Sequence, residues 1–260
     1  PLTYTWQTDG PARTITHTNR PVSDSITLQW ETMGTHVLTV TASNVDGTTT
    51  ATRTIPIQMP VSSIDIGGPS VVAVDASATY TTTVGPLGAS TPVTYTWLVN
   101  DPTQGIIHRQ QSLSDTLALQ WARPGTRTIT VTATNMDPQQ VSLYGLGQLS
   151  KTYTVTVAAP PTKLEVSGPT NGTTGQEYSF TATTSPTSVT TPLSYIWQAS
   201  DQPAETFPQQ PRQASRTFTW ETPGTKAITV TAQNSVGQAT ASHQITLQEP
   251  APQLEVAITG

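Results

Sequence analysis

Thr128-Ile-Thr-Val-Thr-Ala-Thr134 alternates hydroxyl-bearing and apolar residues with a period of two. That is the period of a strand, and it puts Ile129, Val131 and Ala133 on one face and the threonines on the other. The same face returns as Leu38, Val40 and Ala42, and again as Ile228, Val230 and Ala232. A turn precedes each run: Pro124-Gly125-Thr126, Pro223-Gly224-Thr225 and, with Met33 in place of proline, Gly34-Thr35. Proline presets φ and glycine accepts φ > 0, so these triplets reverse the chain. Each run closes on an asparagine, Asn44, Asn135 or Asn234.

The repeat extends outward from these strands. Trp30, Trp121 and Trp220 stand just before the turns, and Trp6, Trp97 and Trp197 precede them by 24, 24 and 23 residues. The latter three lie in matching segments, Pro1-Leu-Thr-Tyr-Thr-Trp6, Pro92-Val-Thr-Tyr-Thr-Trp97 and Pro192-Leu-Ser-Tyr-Ile-Trp197. Their alternation sets Tyr and Trp on one face, as a buried aromatic plug between two sheets requires. All six tryptophans are therefore read as structural core. A third block, Ile64-Asp-Ile-Gly-Gly-Pro69, matches Leu164-Glu-Val-Ser-Gly-Pro169. The pattern predicts an all-β chain of tandem β-sandwich units in a linear array. Residues 1–59 form a partial unit lacking its opening strands, 60–160 a complete unit with an enlarged hairpin loop and 161–250 a second complete unit. Residues 251–260 carry the opening strand of a further unit, Leu254-Glu-Val-Ala-Ile258. Prolines at 60, 160, 161, 250 and 252 stiffen the joints.

Composition agrees and excludes other classes. Of 260 residues 53 are Thr, a β-branched residue that sits better on a pleated strand than in a helix. A net charge of −5, with eleven Lys plus Arg spread singly, argues against nucleic acid, which calls for a basic stripe. No apolar run approaches the roughly 18 residues of a membrane span. Zero cysteines exclude disulfides, thiolate metal sites and cysteine nucleophiles.

Tyr-x-Trp, a Gly-Thr turn and an alternating Ile-Thr-Val-Thr-Ala-x-Asn strand together resemble the polycystic-kidney-disease (PKD) domain, an immunoglobulin-like sandwich of bacterial surface proteins. The resemblance covers both complete units and the partial first one. The family's pattern continues from the Trp into an Asp-Phe-Gly-Asp-Gly loop. Here Trp97 runs into Leu-Val-Asn-Asp101 and Trp197 into Gln-Ala-Ser-Asp201, and Gly10 holds the aspartate's place in the first unit. The resemblance implies an extracellular spacer or adhesion module without catalysis.

The repeat also weighs the candidate sites. His17 and His108 are equivalent, but Phe207 takes their place in the third unit, so the position is read as packing. His36 aligns with Arg127 and Lys226, and His243 with Arg53 and Lys151; both are read as solvated basic positions. No Ser-His-Asp or His-x-x-x-His arrangement survives that comparison. Asp65, Glu165 and Glu255 share one position near the joints. One carboxylate per joint falls short of the several oxygens calcium takes, so they are read as strand-edge charges. Asn171-Gly-Thr173 is a glycosylation sequon, read as lying in a turn. Neither a catalytic residue nor a cofactor nor a metal is assigned. The second unit alone carries a seven-residue insertion, Val141-Ser-Leu-Tyr-Gly-Leu-Gly147, whose Leu143, Tyr144 and Leu146 make it a candidate contact loop.

The function these readings support is a non-catalytic repeat array, as in an extracellular filament, stalk or surface fibre. Its partners are adjacent repeats or neighbouring copies, since low surface charge removes the repulsion that keeps molecules apart. The alternative is an accessory module of a secreted hydrolase that holds cell-surface polysaccharide. That reading requires Trp30, Trp121 and Trp220 to be exposed and coplanar. The out-of-phase first unit has two explanations: an excerpt of a longer array, or opening strands donated by another subunit. The excerpt is favoured, because the tail covers only one missing strand.

Overall fold

The computed structural model describes residues 1–9, 12–100, 104–136, 141 and 146–251. They form an all-β, immunoglobulin-like tandem of strands in five sheets.

The second repeat shows the complete plan. Its strands are β5 (Ser63–Gly67), β6 (Val71–Ala73), β7 (Ala78–Gly85), β8 (Val93–Val99), β9 (Gln104–Gln111), β10 (Ser114–Leu119), β11 (Gly125–Thr134) and β12 (Gln148–Ala158). One sheet runs β10-β7-β5 and the other β6-β12-β11-β8-β9. Strand β8 buries every second residue, Val93, Tyr95, Trp97 and Val99, and pairs Trp97 with Val131 of β11. The alternating residues Ile129, Val131 and Ala133 are fully buried in the same core. Gly125, at φ +140°, makes the turn into β11 that an L side chain would strain.

The third repeat copies this arrangement. Strands β13 (Lys163–Ser167), β15 (Glu177–Ser185) and β18 (Gln213–Thr219) form one sheet. The other takes β14 (Asn171–Thr173), β16 (Leu193–Ala199), β17 (Glu205–Gln210), β19 (Gly224–Asn234) and β20 (Gly237–Gln248). Its core holds Leu193, Tyr195, Trp197, Phe180 and Trp220. The sequon departs from its expected turn. Asn171 begins β14, a short strand parallel to β20, with Asn171 opposite Thr246.

The first repeat has one sheet among the described residues, in the order β2 (Ala12–Arg20), β1 (Leu2–Asp9), β3 (Gly34–Asn44), β4 (Gly47–Ile57). Tyr4, Trp6, Leu38, Val40 and Ala42 are half-buried there, whereas their counterparts in the other repeats are fully buried. Residues 21–33 form no strand. Their counterpart β10 is held by its ladder with β7, and a strand without a ladder partner has no backbone bonds to keep it extended.

The threonines are ordered on the outward face. Hydroxyls pair across strands at matching places: Thr41 with Thr50 at 3.1 Å, Thr132 with Ser150 at 3.3 Å and Thr231 with Thr240 at 2.9 Å. Such cross-strand pairs each add a few tenths of a kcal/mol, up to about 1, and fix the register.

Candidate functional site

Three polar positions recur within the repeats. The first joins Trp, His and Asp. In the second repeat the indole N–H of Trp97 donates to Oδ2 of Asp115 at 2.8 Å, and Nδ1 of His108 lies 2.6 Å from the same oxygen. In the first, Trp6 donates to Asp24 at 2.9 Å, His17 lies at 2.7 Å, and Arg20 donates to the other carboxylate oxygen at 2.8 Å. Burial pushes the Asp24 carboxyl up, but the bonds from Trp6, His17 and Arg20 outweigh it and hold the group at about 2. The histidines thus do more than the packing expected of them. In the third repeat Ala214 and Phe207 replace the pair, and Arg216 lies over the Phe207 ring at 3.4 Å. The missed signal was covariation within the chain: His and Asp are present or absent together. Among the described residues no hydroxyl bonds the second ring nitrogen of His17 or His108. The network is a hydrogen-bonded core feature, without the geometry of a nucleophile relay.

The second position corrects the sequence reading. His36, Arg127 and Lys226 are buried, at 8%, 7% and 7% exposure, and are not solvated. They are in phase with Leu38, Ile129 and Ile228, so alternation turns them inward beneath the Gly-Thr turn. Each binds oxygens of that turn or the neighbouring loop. His36 Nε2 lies 3.0 Å from the Thr32 carbonyl, Arg127 donates to the Arg123 carbonyl at 2.8 Å, and Lys226 donates to Thr222 and Asp201, both at 2.7 Å. In each repeat the position sets a nitrogen-bearing side chain against oxygens of the turn or the neighbouring loop.

The aligned basic position on the last strand stays largely at the surface. Lys151 pairs with Asp65, which lowers the Asp65 carboxyl through that bond, and half-buried His243 lies 3.0 Å from the Pro169 carbonyl. Among the described residues no group of three His, Asp or Glu could hold a metal ion. Of the candidate contact loop, Leu143 and Tyr144 lie outside the described residues, and Leu146 is 53% exposed.

The third position is the closing asparagine, whose role the sequence reading passed over. Asn135 donates from Nδ2 to the carbonyls of Met59 (2.9 Å) and Ser90 (2.8 Å) and accepts the Val61 N–H at 3.1 Å. Asn234 donates to the carbonyls of Ala159 (2.9 Å) and Thr190 (3.1 Å). Both therefore grip the segment that enters their repeat. Asn44 turns instead to its own hairpin and accepts from the N–H groups of Asp46 and Gly47. Trp121 and Trp220 are buried, at 4% and 3% exposure, so they offer no aromatic platform to a polysaccharide.

Residues 163–247 match the PKD domain. PKD domains are typically extracellular structural or adhesion modules and generally non-catalytic. The match coincides with the third repeat, and the PKD-type Tyr-x-Trp and Gly-Thr blocks recur in the two before it. Among solved structures, the I-band fragment I67–I69 from titin is 20% identical at a TM-score of 0.59, over 95% of this chain and 88% of that one. The D1–D4 ectodomain fragment of ICAM-5 is 16% identical at 0.55, over 97% and 75%. At these identities the likeness shows the tandem immunoglobulin-like fold. No curated protein matches the chain. No helix among the described residues is long and apolar enough to cross a membrane.

Proposed function

We propose that the chain is a non-catalytic spacer segment of an extracellular filament, stalk or surface fibre on a bacterial cell, with adjacent repeats as its first partners. The observation that carries this reading is the joint between the second and third repeats. Ala158 still belongs to the second: it pairs with Ala73 and its carbonyl accepts the Val74 N–H at 2.9 Å. The next residue, Ala159, already belongs to the third. It donates to the Thr190 hydroxyl at 2.8 Å, accepts the Thr190 N–H at 3.0 Å and is gripped by Asn234. No free residue separates the two anchors. The earlier joint is nearly as short, with Ile57 paired to Gly34 and Met59 bonded to Ser90. A joint without slack restricts the hinge between units and transmits tension from one to the next, which suits a spacer better than a flexible tether.

Small-angle scattering on the 260-residue chain tests this reading. A maximum dimension near that of three repeats laid end to end, two sandwiches and the single sheet of the first, unchanged by salt, is the expected result. A compact particle, or one whose dimensions collapse when a flexible Gly-Ser segment is inserted elsewhere in a surface loop, overturns it.

A further inference from the structure

We infer that the outer edge of β9 in the second repeat is a docking site for the same strand of a second copy of this chain, paired antiparallel about a two-fold axis at Ile107. The inference goes beyond the spacer reading, which concerns contacts within one chain. β9 ends the order β6-β12-β11-β8-β9, so its far edge has no ladder partner among the described residues. An unpaired edge recruits other strands unless proline or charge guards it. The sister repeats carry such guards. In the third, Pro208 of β17 stands where β9 has Arg109. In the first, β2 has Arg13 and Arg20 where β9 has Gln104 and Gln111. β9 presents an apolar side chain instead. Ile107 is 53% exposed, and Leu98 of β8, on the same face, is 48% exposed. The first repeat has Thr16 and Gln7 at these two places, and the third has Thr206 and Gln198. The apolar pair is thus confined to the repeat whose edge lacks the guards.

The occupant is argued from register. Proline lacks an N–H, yet β17 stays paired with β16, so the N–H at the place of Pro208 and Arg109 points away from the sheet. The carbonyl there does the same. The Gln111 amide reaches the Arg109 carbonyl at 3.0 Å, and the Gln210 amide reaches the Pro208 carbonyl at 3.0 Å. Residues two apart on a strand share that direction, so Ile107 and Gly105 also turn their backbone groups outward. With the axis at Ile107, that residue pairs with its own copy, and Gly105 pairs with Arg109 of the second copy. Each pair exchanges both N–H···O bonds. Exposed Arg109 then faces no other arginine. A Cβ on Gly105 would meet nothing within 4 Å, so the arginine stem has room to lie over it. On the outer face the two isoleucines meet, flanked by the two Leu98 side chains, and apolar surface leaves water on both copies. Gln111 must release the Arg109 carbonyl, and one strand edge buries less than a standard interface, so the contact is weak and reversible. It is also isologous, and it closes as a pair of chains side by side.

Sedimentation velocity on the 260-residue chain over a concentration series tests the inference. The expected result is a monomer–dimer equilibrium that Arg109→Pro and Ile107→Thr each weaken by about tenfold or more. Both substitutions install residues that the third repeat already carries at these places, Pro208 and Thr206, and urea melts check that the fold survives. If Arg109→Pro fails to fold, Ile107→Thr remains decisive, because it changes only an exposed side chain. Gly105 tests the register. Gly105→Glu sets a carboxylate opposite Arg109 of the second copy and should tighten the dimer several-fold at low salt, whereas Gly105→Lys should loosen it. A monomer at every concentration overturns the inference, as does a dimer indifferent to Arg109→Pro and Ile107→Thr. Equal effects of Gly105→Glu and Gly105→Lys overturn the two-fold at Ile107. Scattering dimensions of the monomer report on the spacer reading separately, because they do not depend on the edge of β9.

Discussion

The indole nitrogen of Trp97 donates to the carboxylate of Asp115 across the sandwich, from β8 to β10, at 2.8 Å. The bond ties the five-stranded sheet to the three-stranded one through the largest side chain of the core. His108, on the neighbouring strand β9, shares the same oxygen. In the third repeat Phe207 and Ala214 stand at these two positions, and Phe218 of β18 packs against Trp197 with ring centroids 6.1 Å apart. Two solutions to one packing problem therefore stand in a single chain, which makes the energetics separable.

Asp115→Ala alone leaves a buried indole N–H and a histidine without their acceptor. The expected cost is about 1–3 kcal/mol, the penalty for an unsatisfied buried group. His108→Phe added to Asp115→Ala recreates the third-repeat pair, and part of that loss should return as a favourable coupling. Urea melts of the four variants in the cycle measure it. Strict additivity would show that the His–Asp contact contributes nothing to the core.

Trp97→Ala and Trp197→Ala each remove a fully buried indole and should cost about 3–5 kcal/mol. Trp6→Ala should cost clearly less, because Trp6 is half-buried in the first repeat. Denaturant melts read by tyrosine and residual tryptophan fluorescence give the three values. An equal cost at Trp6 would mean that its sheet face is covered in solution.

Asp24 supplies a pH dependence whose sign follows from its partners. The carboxyl sits at about 2, below the roughly 3.9 of an unfolded aspartate. A folded value below the unfolded one contributes stability that is complete above the unfolded value and is lost as pH falls through the folded one. The first repeat should therefore lose stability between about pH 4 and pH 2. Asp24→Asn should flatten that limb, which acid titration followed by circular dichroism at several urea concentrations would show.

The fold was legible because its period and its register agree. Ile129, Val131 and Ala133 alternate, and three blocks hold constant spacing, so both strand faces and repeat boundaries could be read without contacts. The same alternation, carried two residues further, would have turned His36, Arg127 and Lys226 inward. Charge argued for solvent, and backbone phase won because the turn and the neighbouring loop supply oxygens, carbonyls for His36 and Arg127 and side chains for Lys226, that no sequence pattern displays. The Trp–Asp tie was hidden for another reason: its partners are 18 residues apart and meet only when the two sheets face each other. The clamp asparagines were visible as a repeated letter, but their partners lie 74–76 residues away for Asn135, where the chain enters the unit.

That clamp gives the test closest to function. Asn234→Ala deletes the two donors to the Ala159 and Thr190 carbonyls while leaving the hydrophobic core untouched. Stability of the third repeat should fall by about 1–3 kcal/mol, the range for stranding partly buried carbonyls. The geometric effect should be larger than the energetic one, because Ala159 would then keep only its bonds to Thr190 across the joint. Scattering curves of the 260-residue chain should broaden toward bent conformers in Asn234→Ala, and Asn135→Ala should do the same at the earlier joint. Asn44→Ala, which removes bonds only within its own hairpin, should leave the monomer's curve unchanged. If Asn234→Ala loses stability yet keeps the wild-type scattering curve, the joint is held by the short linker itself, and the asparagine serves the fold of its own repeat alone.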